Sequence, residues 1–207
     1  MTLAIYGPGG FGREIASFAR RNRDVIFISD SSQEIGRSIN GIPVLKFDNL
    51  LDRGPVEIVI AVADSGIRRR LAQKCEDFGI GVAELTALSH ERGDEVHVQP
   101  GGIFCGFTSL TSNIRIGKHF HANIYSYVGH DCIIGDFVTL APNACINGNI
   151  VIEDDVYIGT GAVLKQGTSE NPLRIAKGAV IGMGAVVTES VPPQAVVVGN
   201  PGRQIRR

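Results

Sequence analysis

A glycine-rich loop, with an acidic residue a short distance beyond it, carries the first chemical signal in this chain. Gly7-Pro8-Gly9-Gly10-Phe11-Gly12 follows a short apolar run, Leu3–Tyr6. It opens a segment from Arg13 to Arg21 with helical periodicity through Ile15, Phe18 and Ala19. The first N–H groups of a helix have no partner within it, so they can face a phosphate or another polar group. Gly7, Gly9, Gly10 and Gly12 are therefore a candidate ligand cradle. Asp30 ends the next apolar run, where an acidic residue commonly contacts a nucleoside. Three readings stay open for the loop: a nucleotide or nucleotide-sugar site, a dinucleotide site, or a tight turn that packs a helix on a sheet. Against the dinucleotide stands the room available, because this part of the chain holds only about half of a usual dinucleotide fold.

The elements that must position these residues form two blocks. Val25–Asp30 and Val56–Ala63 are further apolar strands, and Ile67 to Phe78 suits a helix with Leu71, Cys75 and Phe78 on one side. Alternating strands and helices imply a parallel sheet flanked by helices, a Rossmann-like domain over residues 1–88. From residue 89 to 207 the pattern changes. Val98, Phe104, Leu110, Ile116, Ala122, Val128, Ile134, Leu140, Ile146, Ile152, Ile158 and Leu164 recur at every sixth position. Glycine often follows, as in Val128-Gly129 and Ile134-Gly135. A second in-phase position, two residues earlier, is mostly small or β-branched, as at Ser126, Cys132 and Ala144. Residues two apart on a strand share a face, so both positions point into one narrow core. A hexapeptide period marks a parallel β-helix, with three hexads to a triangular coil. The phase slips after Leu164 and resumes at Ile175, Ile181 and Val187, so Gln166–Pro172 is expected to loop out of the coil.

Composition narrows the partners. The chain has 207 residues, a net charge of −1 and 20% charged residues, which gives no electrostatic case for nucleic acid or an anionic membrane. It holds no apolar run long enough for a membrane span. Met1 leads straight into a strand rather than a signal-type segment, and Cys75, Cys105, Cys132 and Cys145 form no CxxC pair. The expected setting is cytoplasmic and reducing.

The glycine loop, the hexapeptide repeats and the closing Val198-Gly-Asn-Pro-Gly-Arg203 together resemble one family over essentially the whole chain. It is that of the bacterial hexapeptide-repeat sugar acyltransferases, which N-acetylate nucleotide-linked amino sugars or O-acetylate sialic acid. The resemblance implies a left-handed β-helix, a homotrimer, and acetyl-CoA held in the groove between neighbouring β-helices. It also implies a nucleotide-sugar on the N-terminal domain, near the glycine loop, Asp30 and the Asp64-Ser65 turn. The family's catalytic histidine followed by an acidic residue corresponds to His130 and Asp131. A histidine suits the task of taking a proton from an attacking amine or hydroxyl, and a neighbouring carboxylate can orient its ring. Adjacent strand residues face opposite ways, so this pair can meet only if the backbone bends beside Gly129. Asn123 matches an asparagine near the sugar. Contacts to acetyl-CoA are implied near Thr160 and Met183, at Thr139 in place of a second histidine, and along Asn200, Arg203, Arg206 and Arg207.

The acceptor is expected to be the amine of a nucleotide-linked amino sugar, in glycan biosynthesis. A sugar hydroxyl and a non-catalytic nucleotide-binding β-helix are the alternatives. A further rival is the trimeric zinc carbonic anhydrase, for which His119, His121 and His130 are candidate ligands. That family lacks such an N-terminal domain, so no metal is expected. His119 and His121 are otherwise expected to be outward polar residues on one rung.

Overall fold

The structure, a computed structural model, describes residues 1–205. The chain divides into two compact units, Met1–Leu85 and a second from Thr86 onward.

The first unit is a parallel sheet with helices. Its elements are β1 (Thr2–Tyr6), α1 (Gly10–Ala19), β2 (Val25–Ile28), β3 (Ser38–Ile39), β4 (Ile42–Leu45), β5 (Val56–Ile60), α2 (Ser65–Asp77) and β6 (Gly81–Val82). The strand order is β3-β4-β2-β1-β5-β6, parallel throughout except for the β3–β4 hairpin. β1 and β2 are buried along almost their whole length, as expected of strands covered on both faces. α1 starts at Gly10, earlier than the apolar periodicity suggested, because Gly10 and Gly12 supply its first turn. The sequence reading did not include β3 and β4. Their turn is Asn40-Gly41, both at positive φ (52° and 77°), the residue pair favoured in two-residue hairpins.

The second unit is the β-helix. Its short strands stack into three parallel sheets, and pairing partners lie 18 residues apart, as in Tyr127↔Cys145 and Ile133↔Val151. One coil thus spends one hexad on each sheet. The in-phase residues form the core: Leu110, Ile116, Val128, Ile134, Leu140, Ile146, Ile152, Ile158 and Leu164 are all at most 2% exposed. Burying each such side chain contributes roughly 1.5–3 kcal/mol. Ile150 pairs with Leu173, 23 residues on rather than 18, as do Tyr157 with Val180 and Val163 with Val186, so the expected loop is a five-residue insertion; the last coil is two residues short, with Val180 paired to Val196.

The corners show how the coil turns. Asn113, His119, Tyr125, Asp131, Phe137, Asn143, Asn149 and Asp155 all have φ between 53° and 61°, one residue per hexad. Asn and Asp tolerate this left-handed conformation, whereas larger side chains pay for it in sterics. The aromatic corners gain stacking across one coil: Phe107 on Tyr125 at 5.2 Å and His119 on Phe137 at 5.0 Å. His119 and His121 differ from expectation, since they are 6% and 1% exposed. At the C-terminal end Val196–Val198 pairs antiparallel with Arg203–Ile205.

Candidate active site

His130 and Asp131 sit at the corner between the Tyr127–Val128 and Ile133–Ile134 strands. Asp131 is the left-handed residue of that corner, with φ 58°. This bend removes the alternation that would send the two side chains to opposite faces. His130 Nδ1 lies 2.7 Å from Asp131 Oδ2, and both side chains are about half exposed (46% and 48%). With Nδ1 turned to a carboxylate, which can only accept, the proton belongs on Nδ1 and Nε2 carries the free lone pair. The hydrogen bond to His130 holds the Asp131 carboxyl below its usual range, and a second from Asn113 Nδ2 to Oδ1, at 3.2 Å, adds to it.

Two residues around this pair carried no signal in the sequence reading. Asn113 occupies the same corner one coil earlier, and Gly148 lies one coil after His130. The ring lies directly over Gly148: a Cβ there would stand 2.5 Å from Nε2 and 2.6 Å from Cε1. The 18-residue period would have pointed to both, since each is one coil away from the pair. Beside them, the Tyr127 hydroxyl donates to Asn147 Oδ1 at 2.7 Å, and Asn147 Nδ2 donates to Leu164 O at 2.7 Å.

In the first unit the glycine loop, Asp30 and Asp64 lie beyond the carboxyl ends of the neighbouring strands β1, β2 and β5. Ligands of open parallel sheets bind at that edge. The glycines divide by role. Gly7 has φ 101°, and a Cβ on Gly12 would strike Gly7 O, so these two serve the turn and its packing. Gly9 and Gly10 have open space where a side chain would be, so only they leave room for a ligand to approach the backbone. Asp64 caps α2, accepting from Ile67 N at 2.7 Å. Asp30 accepts from the Tyr6 hydroxyl at 2.6 Å and pairs with Lys74 Nζ at 3.3 Å, yet its side chain remains 61% exposed. Burial, then the Asp30 carboxylate, raises the Tyr6 phenol well above its ordinary value.

Comparison with known proteins agrees with this architecture. Residues 2–75 match the PglD N-terminal domain. The chain is 40% identical to GDP-perosamine N-acetyltransferase from Escherichia coli O157:H7, over 98% of this chain and 96% of that one. The chain belongs to the hexapeptide-repeat sugar acetyltransferase family. Among solved structures, WeeI from Acinetobacter baumannii AYE is 46% identical, with a TM-score of 0.94 over 99% of this chain and 100% of that one. The acetyltransferase domain of PglB from Neisseria gonorrhoeae FA1090, solved with acetyl coenzyme A, is 26% identical. Its TM-score is 0.88, over 99% of this chain and 98% of that one.

The remaining positions matched to the family fall elsewhere on the coil. Asn123, Thr160 and Met183 lie at the corner that precedes that of His130 along the coil, and Thr139 begins a strand of the sheet leading to it. Asn123 turns its amide nitrogen into the ladder, donating to Leu140 O at 2.7 Å. Thr139 is buried and Met183 is 80% exposed. Asn200 and Arg203 are exposed at the C-terminal end, where Arg203 Nη1 donates to Gly202 O. Arg206 and Arg207 lie outside the described residues. Among the described residues no group of three or more His, Cys, Asp or Glu is arranged to hold a metal ion, and no helix is long and apolar enough to cross a membrane.

Proposed function

We propose that this protein moves an acetyl group from acetyl-CoA to the amine of a nucleotide-linked amino sugar. GDP-perosamine, named for the 40%-identical relative, is the first acceptor to test. The observation that carries this reading is the His130–Asp131 pair, placed on a hexapeptide corner of a chain that matches that relative from end to end. His130 Nε2 accepts the proton as the amine nitrogen attacks the thioester carbonyl. The tetrahedral adduct then collapses, its C–S bond breaks, and the CoA sulfur leaves as the thiol after taking that proton back. Asp131 keeps Nδ1 protonated and stabilises the imidazolium between the two steps. Gly9, Gly10 and Asp30 hold the nucleotide, and the other residues at the carboxyl edge of the sheet shape its seat.

The working form in this reading is a homotrimer of left-handed β-helices in the cytoplasm, where free thiols persist. The arrangement of the site supports the trimer. His130 and the group Asn123, Thr160 and Met183 sit on different corners, separated by roughly 16 Å at ~3.3 Å per strand residue. One coil cannot bring both sets to one acetyl group. A cyclic neighbour can, by laying its own second corner against the first. Acetyl-CoA then lies between the two, with Arg203 and Asn200 towards its phosphates.

The test is thiol release from acetyl-CoA with GDP-perosamine and a panel of uridine-linked amino sugars, followed by mass spectrometry of the product. Acetyl gain on nitrogen is expected. Turnover only with sugar hydroxyls, or with none of the amino sugars, would refute the assignment.

A further inference from the structure

We infer that Asn113 is a positioning residue for the acetyl transfer: it fixes the Asp131 carboxylate, and through it the orientation and tautomer of His130. This rests on His130 being the base. The geometry is a chain of two hydrogen bonds. Asn113 Nδ2 donates to Asp131 Oδ1 at 3.2 Å, and His130 Nδ1 faces Asp131 Oδ2 at 2.7 Å. The amide must present its nitrogen, since a carboxylate has nothing to donate. A half-exposed carboxylate held at one oxygen can still rotate about its last bond; held at both, its plane is set. That plane decides where the imidazole lies.

The corner explains why an asparagine does this. Asn113, Asp131 and Asn149 are successive left-handed residues of one edge, with φ 55°, 58° and 56°. Asparagine tolerates that conformation and supplies a donor aimed along the coil axis. The backbone ties run the same way: Asp131 N donates to Ser112 O at 3.1 Å, and Asn149 N to His130 O at 2.9 Å. The ring is therefore set from both sides, by Asn113 through Asp131 from the coil before and by Gly148 from the coil after. Asp131 is the charged group against the ring. Its neighbours from the flanking coils, Ser112, Asn113, Gly148 and Asn149, carry no charge.

Two substitutions separate this role from a structural one. Asn113→Gly removes the donor and keeps the left-handed corner without strain. It is expected to lower kcat ~3–10-fold, the scale of one net hydrogen bond, with the KM for acetyl-CoA unchanged. In a His130→Ala background it should add nothing. Asn113→Asp replaces the donor by a second carboxylate, which favours the imidazolium. It should move the acid limb of kcat/KM upward by roughly 0.5 pH unit at low salt. The ¹⁵N shifts of the His130 ring, assigned by their loss in His130→Ala, give a readout free of turnover. Asn113→Gly should move them from the Nδ1–H form towards a mixture of tautomers. An unchanged ring spectrum in Asn113→Gly, or the same fold-loss with and without His130, would overturn the proposal. A shifted ring spectrum together with near wild-type kcat in His130→Ala would instead support the positioning and sink the base.

Discussion

Replacing Gly148 by alanine tests the site by displacing the His130 ring. Gly148 has no positive φ, so alanine costs its backbone no strain. The added Cβ would lie 2.5 Å from His130 Nε2, 2.6 Å from Cε1 and 3.0 Å from Cδ2, against about 3.4 Å for ordinary contact. The ring must retreat by about 0.9 Å, and its 2.7 Å bond to Asp131 stretches or breaks. Misplacement of about 1 Å in a reacting group can cost about 10²-fold. Complete loss of a general base costs about 10²–10⁴-fold and sets the upper bound. We therefore expect Gly148→Ala to lower kcat about 10²-fold. Gly148 is itself buried and the displaced ring strains its bond to Asp131, so a stability loss of about 1 kcal/mol should accompany the loss in kcat. Steady-state thiol release, with a melting curve on the same sample, reads both. If kcat stays within about twofold of wild type, the ring position does not limit the reaction. If His130→Ala/Gly148→Ala is much slower than His130→Ala alone, the alanine acts elsewhere than on the ring.

His130→Ala itself should lower kcat about 10²–10⁴-fold with the assembly state and acetyl-CoA affinity nearly unchanged, and Asp131→Asn should cost less. Calorimetric titration and light scattering check the binding and assembly. The Asp131 carboxyl is held below its ordinary value of 3.8, so its contribution to stability is present at neutral pH and is lost as pH falls through the lowered value. The difference in Tm between wild type and Asp131→Asn should accordingly shrink towards zero below about pH 3.8, which a pH series of melting curves will show. Burial pushes the Cys75 and Cys132 thiols up to about 11. A disulfide reagent at pH 8 should leave both unreacted in the folded protein and titrate them only after unfolding.

The sequence displays the parts of this molecule that repeat and hides those that depend on a third dimension. The hexad period announces the coil and its core, because each inward side chain from Leu110 to Leu164 answers to the same narrow interior. It cannot announce that His119 and Phe137 stack, or that Asn113 reaches Asp131, until residues are written 18 to a row. The His130–Asp131 contact is legible as a motif, yet its feasibility depends on the left-handed φ at Asp131, which an aspartate permits and does not demand. The β3–β4 hairpin has its turn signal in Asn40-Gly41, but its flanking strands, two and four residues long, are too short to show a period. Asp30 illustrates the opposite case: its place at a strand end was readable, while its engagement by Tyr6 and Lys74 depends on side chains from β1 and α2.

The antiparallel pairing of Val196–Val198 with Arg203–Ile205 bears on how such a coil avoids growing end to end. Every coil of a solenoid is a template for the one after it, so its last open rung invites a stranger's strand as readily as its own. Here the chain folds back and occupies that rung itself on one of the three sheets. The returning segment is exposed and carries Arg203, so it offers a poor surface for further addition. A protein cut after Gly202 would present the bare rung instead, and it should show a concentration-dependent tendency to join end to end into filaments.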